Sequence, residues 1–190
     1  MSRELVVKGS IQSVASGGDV ALAMLDAKLL LICDISGSMQ ETTSSGLSKF
    51  QILKNITKKL QERHPGQVVV ESFSDDAELN LDGVLPEPNG GTSMVAALEM
   101  ASPMLEAGIV GVLMSDGEPT DGHDNVLSVA RSISGKINPV FIGQEGSPGA
   151  DFMRQLAKEI GTECRINDIA LDDALLESTL TTLLLEAGGR

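Results

Sequence analysis

Three short segments of this chain combine oxygen-bearing side chains with glycines. They are Asp34-Ile35-Ser36-Gly37-Ser38, Gly90-Gly91-Thr92-Ser93 and Ser115-Asp116-Gly117. Together they offer two carboxylates and several hydroxyls, but no His or Cys. Hard oxygen ligands of this kind select Mg²⁺, Mn²⁺ or Ca²⁺ over zinc or copper. Two carboxylates balance the charge of a divalent ion, so such an ion would stay electrophilic and could accept an acidic group from a partner.

The elements that must position these segments are two buried strands. Residues 28–36 and 109–116 are continuous apolar runs, which is typical of strands covered on both faces. In open parallel sheets, ligands bind at the carboxyl ends of the strands where the strand order reverses. A sheet order of 3-2-1-4-5-6 would place the first and fourth strands side by side. Asp34 and Asp116 would then flank one crevice.

Alternating strand and helix patterns continue along the rest of the chain and predict an α/β domain. The segments 67–73 and 77–85 read as a hairpin, which makes the third strand antiparallel and an edge. We expect a doubly wound, mostly parallel six-stranded sheet of Rossmann-like type with helices on both faces, covering 28–190 after an N-terminal arm, 1–27. Further strands are predicted at 136–143 and 162–167, and helices at 47–64, 92–108, 121–135, 149–161 and 169–189. Pro103 should kink or divide the second of these helices.

Composition excludes several classes of function. The 190 residues carry 27 Asp+Glu against 14 Lys+Arg, a formal net charge of −13, so nucleic acid is not an expected partner. The chain has four Phe and no Trp or Tyr, which argues against base stacking. We expect a cytoplasmic protein, because no apolar run is long enough for a membrane helix and the first ten residues lack the apolar core of a signal peptide.

Taken in order, the three segments resemble the metal-ion-dependent adhesion site of a von Willebrand factor type A (vWA) domain, here of the stand-alone prokaryotic type. The resemblance covers roughly residues 28–187. It implies that Ser36, Ser38 and Thr92 ligate the metal directly or through water, and that Asp34 and Asp116 act largely through hydrogen bonds or bridging water. All five positions match the family pattern.

The function implied by the resemblance is binding rather than catalysis. A divalent ion (Mg²⁺, or Mn²⁺ or Ca²⁺) would hold a carboxylate of a protein partner. Related prokaryotic domains often act with AAA+ ATPases of the MoxR type, which makes such a system one candidate partner.

Two alternatives remain open. One is a metal-dependent hydrolase such as a phosphatase, although Ser36 stands where haloacid-dehalogenase phosphatases place their second Asp. The other is a structural subunit that forms homo-oligomers through the arm and the leucine-rich last helix.

Charged residues outside the five positions are expected to be surface features. The helix at 47–64 has a basic face, which we interpret as solvated, with a docking surface as the alternative. Its residues are Lys49, Lys54, Lys58, Lys59 and Arg63. A second group should form an acidic rim on the metal face and favour a partner carboxylate surrounded by Lys or Arg. This rim comprises Asp75, Asp76, Glu118, Asp121 and Asp124.

Overall fold

A computed structural model describes residues 6–15, 18–43, 45–167, 178 and 180–185. Within this part of the chain the strands are β1 (Leu29–Asp34), β2 (Val68–Phe73), β3 (Ala77–Leu79), β4 (Val110–Ser115), β5 (Ile137–Ile142) and β6 (Arg165–Asn167). The helices are α1 (Ile11–Val14), α2 (Val20–Ala23), α3 (Lys49–Arg63), α4 (Met94–Glu106), α5 (His123–Ser132) and α6 (Pro148–Glu159).

The strands form one mixed sheet with the order β3-β2-β1-β4-β5-β6. All neighbours run parallel except β3, which pairs antiparallel with β2 at the edge. The α/β class and the antiparallel edge strand are therefore confirmed. The third strand is shorter than expected: it ends at Leu79, because the chain turns at 80–83 and continues as a loop.

Two apolar layers cover the sheet. On one face α3 packs together with the helical residues 180–185, whose Leu180, Leu183 and Leu184 are buried. On the other face lie α4, α5 and α6. The four central strands β1, β2, β4 and β5 are buried at every position, as their apolar sequences require. Most of the expected last helix, 169–189, lies outside the described residues.

Pro103 was expected to kink or divide helix α4. The helix is continuous from Met94 to Glu106, so the division is wrong, and the kink stays a prediction. Pro103 lies in the last turn. Proline removes only one backbone hydrogen-bond donor from the helix. The buried side chains of Leu98, Ala101 and Leu105 anchor the helix in the core.

The described part of the N-terminal arm packs against the domain. Ile11 is buried in the same apolar layer as α4. The backbone N–H of Val7 donates to the carbonyl of Asp82 at 2.9 Å, and that of Gly66 donates to the carbonyl of Gly9 at 3.0 Å. The boundary between arm and domain at residue 28 stays a prediction. No helix among the described residues is both long and apolar enough to cross a membrane.

One buried polar residue of the sheet stands apart from any predicted site. Glu71, in β2, is fully buried, and neither carboxylate oxygen has a hydrogen-bond partner in the described part of the chain. Burial raises the pKa of Glu71 from 4.5 to about 8. The folded protein therefore keeps a proton on Glu71 at neutral pH, whereas the unfolded chain loses it.

Glu71 should make the free energy of unfolding fall as the pH rises from 4.5 towards about 8. A single proton changes the free energy of unfolding by at most about 1.4 kcal/mol per pH unit. Glu71→Gln should therefore gain stability over wild type, by about 1 kcal/mol for each pH unit across this window. Urea unfolding at several pH values measures this difference. Glu78→Gln, at an exposed position of β3, is the matched control. Parallel stability curves for wild type and Glu71→Gln would contradict the prediction.

Candidate metal centre

The ends of β1 and β4 lie next to each other at the centre of the sheet. These strands are parallel, and the register pairs Cys33 with Met114. The residues that follow, Asp34 on β1 and Ser115 on β4, therefore lie alongside each other at the carboxyl edge. The loops that follow β1 and β4 leave the sheet here, so Asp34 and Asp116 lie at the same edge of the sheet, as expected.

The Asp34 carboxylate is fully buried and held by two donors. Its Oδ1 accepts a hydrogen bond from the backbone N–H of Ser36 at 2.7 Å. Its Oδ2 accepts one from the hydroxyl of Ser115 at 2.6 Å. Burial raises the pKa of Asp34 to about 6, although the hydrogen bonds from Ser115 and Ser36 oppose this shift. The carboxylate is thus fixed in orientation but remains short of positive charge.

A chain of hydroxyls links the loop after β1 to the loop after β4. The Ser36 and Ser38 hydroxyl oxygens are 3.0 Å apart, and the Ser38 hydroxyl donates to Asp116 Oδ1 at 3.0 Å. Two hydroxyl oxygens therefore lie side by side next to the two aspartates. Each serine oxygen has lone pairs that a cation could use.

Thr92 is joined to this chain through the backbone of its loop. The Gly37 N–H donates to the Gly90 carbonyl at 3.1 Å, which ties the loop to the one after β1. The Thr120 N–H donates to the Thr92 carbonyl at 2.9 Å, which ties it to the loop after β4. The structure thus links Asp34, Ser36, Ser38 and Asp116 by contiguous hydrogen bonds and holds Thr92 beside them by backbone contacts.

Two carboxylates of the expected acidic rim, Asp75 and Asp121, also hold the Thr92 loop. Asp75 Oδ1 accepts from the Gly91 N–H at 2.8 Å. Asp121 accepts from the Ser93 hydroxyl at 3.0 Å and from the Val95 N–H at 2.9 Å, at the start of α4. Their positions after strand ends were predictable, but this bonding was not. The remaining rim positions, Asp76, Glu118 and Asp124, are exposed.

Gly117 shows why the loop after β4 requires glycine. Its φ is +104°, and an added Cβ would collide with the backbone of Gly149 at the start of α6. Its N–H donates to the Ser115 hydroxyl at 2.9 Å. Ser115 thus accepts from Gly117 and donates to Asp34, a role that sequence reasoning missed although Ser115 stands directly before Asp116.

Lys49 is the second residue of the site that sequence reasoning missed. The sequence analysis interpreted Lys49 as part of a solvated helix face. Its ammonium instead donates to Asp116 Oδ2 at 2.7 Å and to Glu41 Oε2 at 2.6 Å. Only 14% of the side chain is exposed. Burial lowers the pKa of Lys49, but the hydrogen bonds to Asp116 and Glu41 outweigh burial and hold the pKa above its usual value.

The donor set fits a hard divalent cation. It consists of two carboxylates and three hydroxyl side chains, all oxygen. No group of three or more His, Cys, Asp or Glu side chains suited to a metal occurs among the residues that the structure describes.

The fold resembles that of several solved structures. No protein-family model matches the sequence, and no curated protein matches it. A D319A mutant of the PilB minor pilin from Streptococcus sanguinis superposes with a TM-score of 0.59 at 15% identity, over 84% of this chain and 61% of that one. Proximal thread matrix protein 1 from the mussel byssus gives 0.58 at 18% identity, over 85% of this chain and 46% of that one.

Two further matches point to the same architecture. Manganese-loaded TRAP protein from Plasmodium vivax gives a TM-score of 0.57 at 18% identity, over 83% of this chain and 73% of that one. The ArnB paralog VWA2 from Sulfolobus acidocaldarius gives 0.56 at 19% identity, over 82% of this chain and 44% of that one. The fold is therefore vWA-like. This chain spans less than two thirds of the length of three of these four proteins.

Replacing Ser115 by Ala should lower the free energy of unfolding by about 1–3 kcal/mol, because a buried carboxylate loses one of its donors. Ser72→Ala is the matched control: Ser72 is an equally buried strand serine whose hydroxyl has no partner among the described residues. Its loss should be neutral or slightly stabilising. Urea unfolding of both variants at pH 8 tests the difference, and equal effects would show that the Ser115 hydrogen bond is not special.

Proposed function

We propose that this chain is a divalent-metal-dependent protein interaction module. Asp34, Ser36, Ser38, Thr92 and Asp116 would hold Mg²⁺, or Mn²⁺ or Ca²⁺, at the carboxyl edge of the sheet. When bound, the ion would supply an electrophilic coordination position for a carboxylate oxygen of a partner protein. The proposed activity is binding, not catalysis.

The observation that carries this proposal is the hydrogen-bonded chain from Asp34 through Ser36 and Ser38 to Asp116. It unites side chains from two loops that are 78 residues apart between Ser38 and Asp116. If each of the four residues only formed a turn or stabilised its own loop, the four side chains would not need to lie together. Their convergence beside a buried carboxylate is what a cation site needs.

The choice of hydroxyls as donors determines what the ion could do. Hydroxyls coordinate without neutralising charge, so the ion would retain attraction for a further anion. A site built from four carboxylates would not. This is the physical reason to propose a carboxylate as the group recognised, and a protein side chain as its source.

The comparisons support a vWA-like framework for this site. One solved structure with the fold is described as manganese-loaded, which makes Mn²⁺ a suitable test ion. Sequence identities of 15–19% support a shared fold and nothing finer. Metal binding by this chain is therefore proposed from its own donor set.

The partner's carboxylate should lie among basic residues. Asp76, Glu118 and Asp124 are exposed near the strand ends that carry the site, and the chain has a net charge of −13. A uniformly acidic partner surface would be repelled. A MoxR-type ATPase system stays a candidate only on the strength of the family resemblance.

Metal binding is tested best by a substitution that leaves the net charge unchanged. Ser38→Ala should weaken Mn²⁺ binding by about tenfold or more, because it removes a donor and breaks the link to Asp116. Ser45→Ala, an exposed serine in the neighbouring loop, is the control and should bind like wild type. Calorimetric titration measures both. Absence of Mn²⁺ and Mg²⁺ binding by wild type at millimolar concentration would refute the proposal.

Partner capture should depend on both the metal and a partner carboxylate. Proteins retained from native extract by the wild-type chain in Mg²⁺ should be released by EDTA and should not be retained by Ser38→Ala. Amidation of carboxylates in the extract should abolish capture, whereas mock treatment should not. Retention that survives EDTA and amidation would show that the surface binds in another way, as the structural-subunit alternative requires.

A further inference from the structure

Lys49 occupies an unusual place for a cation. It is the first residue of α3, where the helix dipole is positive and a basic side chain is disfavoured. Its side chain is only 14% exposed. A lysine can be held in such a place if carboxylates compensate it, and here Asp116 and Glu41 do so.

Each oxygen of the Asp116 carboxylate accepts a hydrogen bond in this arrangement. The Ser38 hydroxyl donates to its Oδ1 at 3.0 Å, and the Lys49 ammonium donates to its Oδ2 at 2.7 Å. Only 9% of the Asp116 side chain is exposed. A divalent ion that draws on the charge of Asp116 must therefore compete for that carboxylate with an ammonium already in contact with it.

We propose that Lys49 is a built-in competitor for the divalent ion. Its ammonium balances the charge of Asp116 and would have to give up this contact for a divalent ion to bind. The inference rests on the proposed function, since it presupposes a metal at the site. Lys49 would thereby position the Asp116 carboxylate and lower the affinity of the site for the divalent ion.

Glu41 gives the displaced ammonium a place to go. The same Nζ that contacts Asp116 lies 2.6 Å from Glu41 Oε2, and the Glu41 side chain is 68% exposed. The Lys49 N–H also donates to the Glu41 carbonyl at 3.1 Å, which keeps the two residues together. Lys49 can therefore leave Asp116 while remaining paired, so displacement does not create an isolated buried charge.

The first experiment compares Lys49→Met with Lys54→Met by titration with Mn²⁺ alone. Both variants remove one positive charge from α3, but Lys54 pairs with Glu87 at 3.2 Å rather than with Asp116. Lys49→Met should bind Mn²⁺ at least about tenfold more tightly than wild type, and Lys54→Met should bind nearly as wild type does. Weaker binding by Lys49→Met would overturn the proposal, because it would mean that Lys49 supports the metal.

The second experiment uses the wild-type chain and so does not depend on the folding of a variant. Acetylation of individual lysines by an amine-reactive ester is followed by mass spectrometry with and without saturating Mn²⁺. Release from Asp116 should increase the acetylation rate of Lys49 severalfold, while that of Lys54 stays constant. An unchanged Lys49 rate in protein shown to bind Mn²⁺ would overturn the proposal.

The outcomes separate this inference from the proposed function. If wild type and Lys49→Met bind Mn²⁺ equally, the competitor role is wrong and the metal module stands. If neither binds Mn²⁺, both are wrong. If both bind Mn²⁺ and Lys49→Met binds it much more tightly, both are supported.

Discussion

The structure depends on a carboxylate that water does not reach. Asp34 ends the central strand β1 and is fully buried, and an ionised carboxylate in such a place is costly unless donors surround it. The Ser36 N–H comes from the same loop, whereas the Ser115 hydroxyl is available only because β1 and β4 are parallel neighbours. The order of the sheet is therefore what makes an ionised Asp34 tolerable, and the same order brings the loop of Asp116 within reach.

The balance of charge at this edge connects the fold to its proposed function. Asp34, Asp116 and Glu41 supply three negative charges when ionised, and Lys49 supplies one positive charge, which leaves two negative charges. A divalent ion would neutralise that remainder. Burial raises the pKa of Asp34, and the charge of Asp116 adds to this shift, whereas Asp116 itself is paired with Lys49.

Much of this arrangement was predictable from local patterns. Continuous apolar runs identified the buried strands β1 and β4, and polar residues directly after them identified Asp34 and Asp116. The hairpin of β2 and β3 followed from its short turn. Each of these features depends on residues close together in sequence. The Asp-x-Ser-x-Ser spacing likewise brings Ser36 and Ser38 into hydrogen-bond range within a single loop.

The features that sequence reasoning missed depend on contacts between distant segments. Helical periodicity assigned Lys49 to a solvated face, but at the first residue of a helix a long side chain can turn outward to a carboxylate 67 residues away. Ser115 could have been noticed as the hydroxyl that ends an apolar strand. Its donation to Asp34 nevertheless depends on the register between β1 and β4, which no local pattern specifies. Both residues act on the predicted aspartates, so a motif identified the proposed ligands without identifying the residues that pair with their carboxylates.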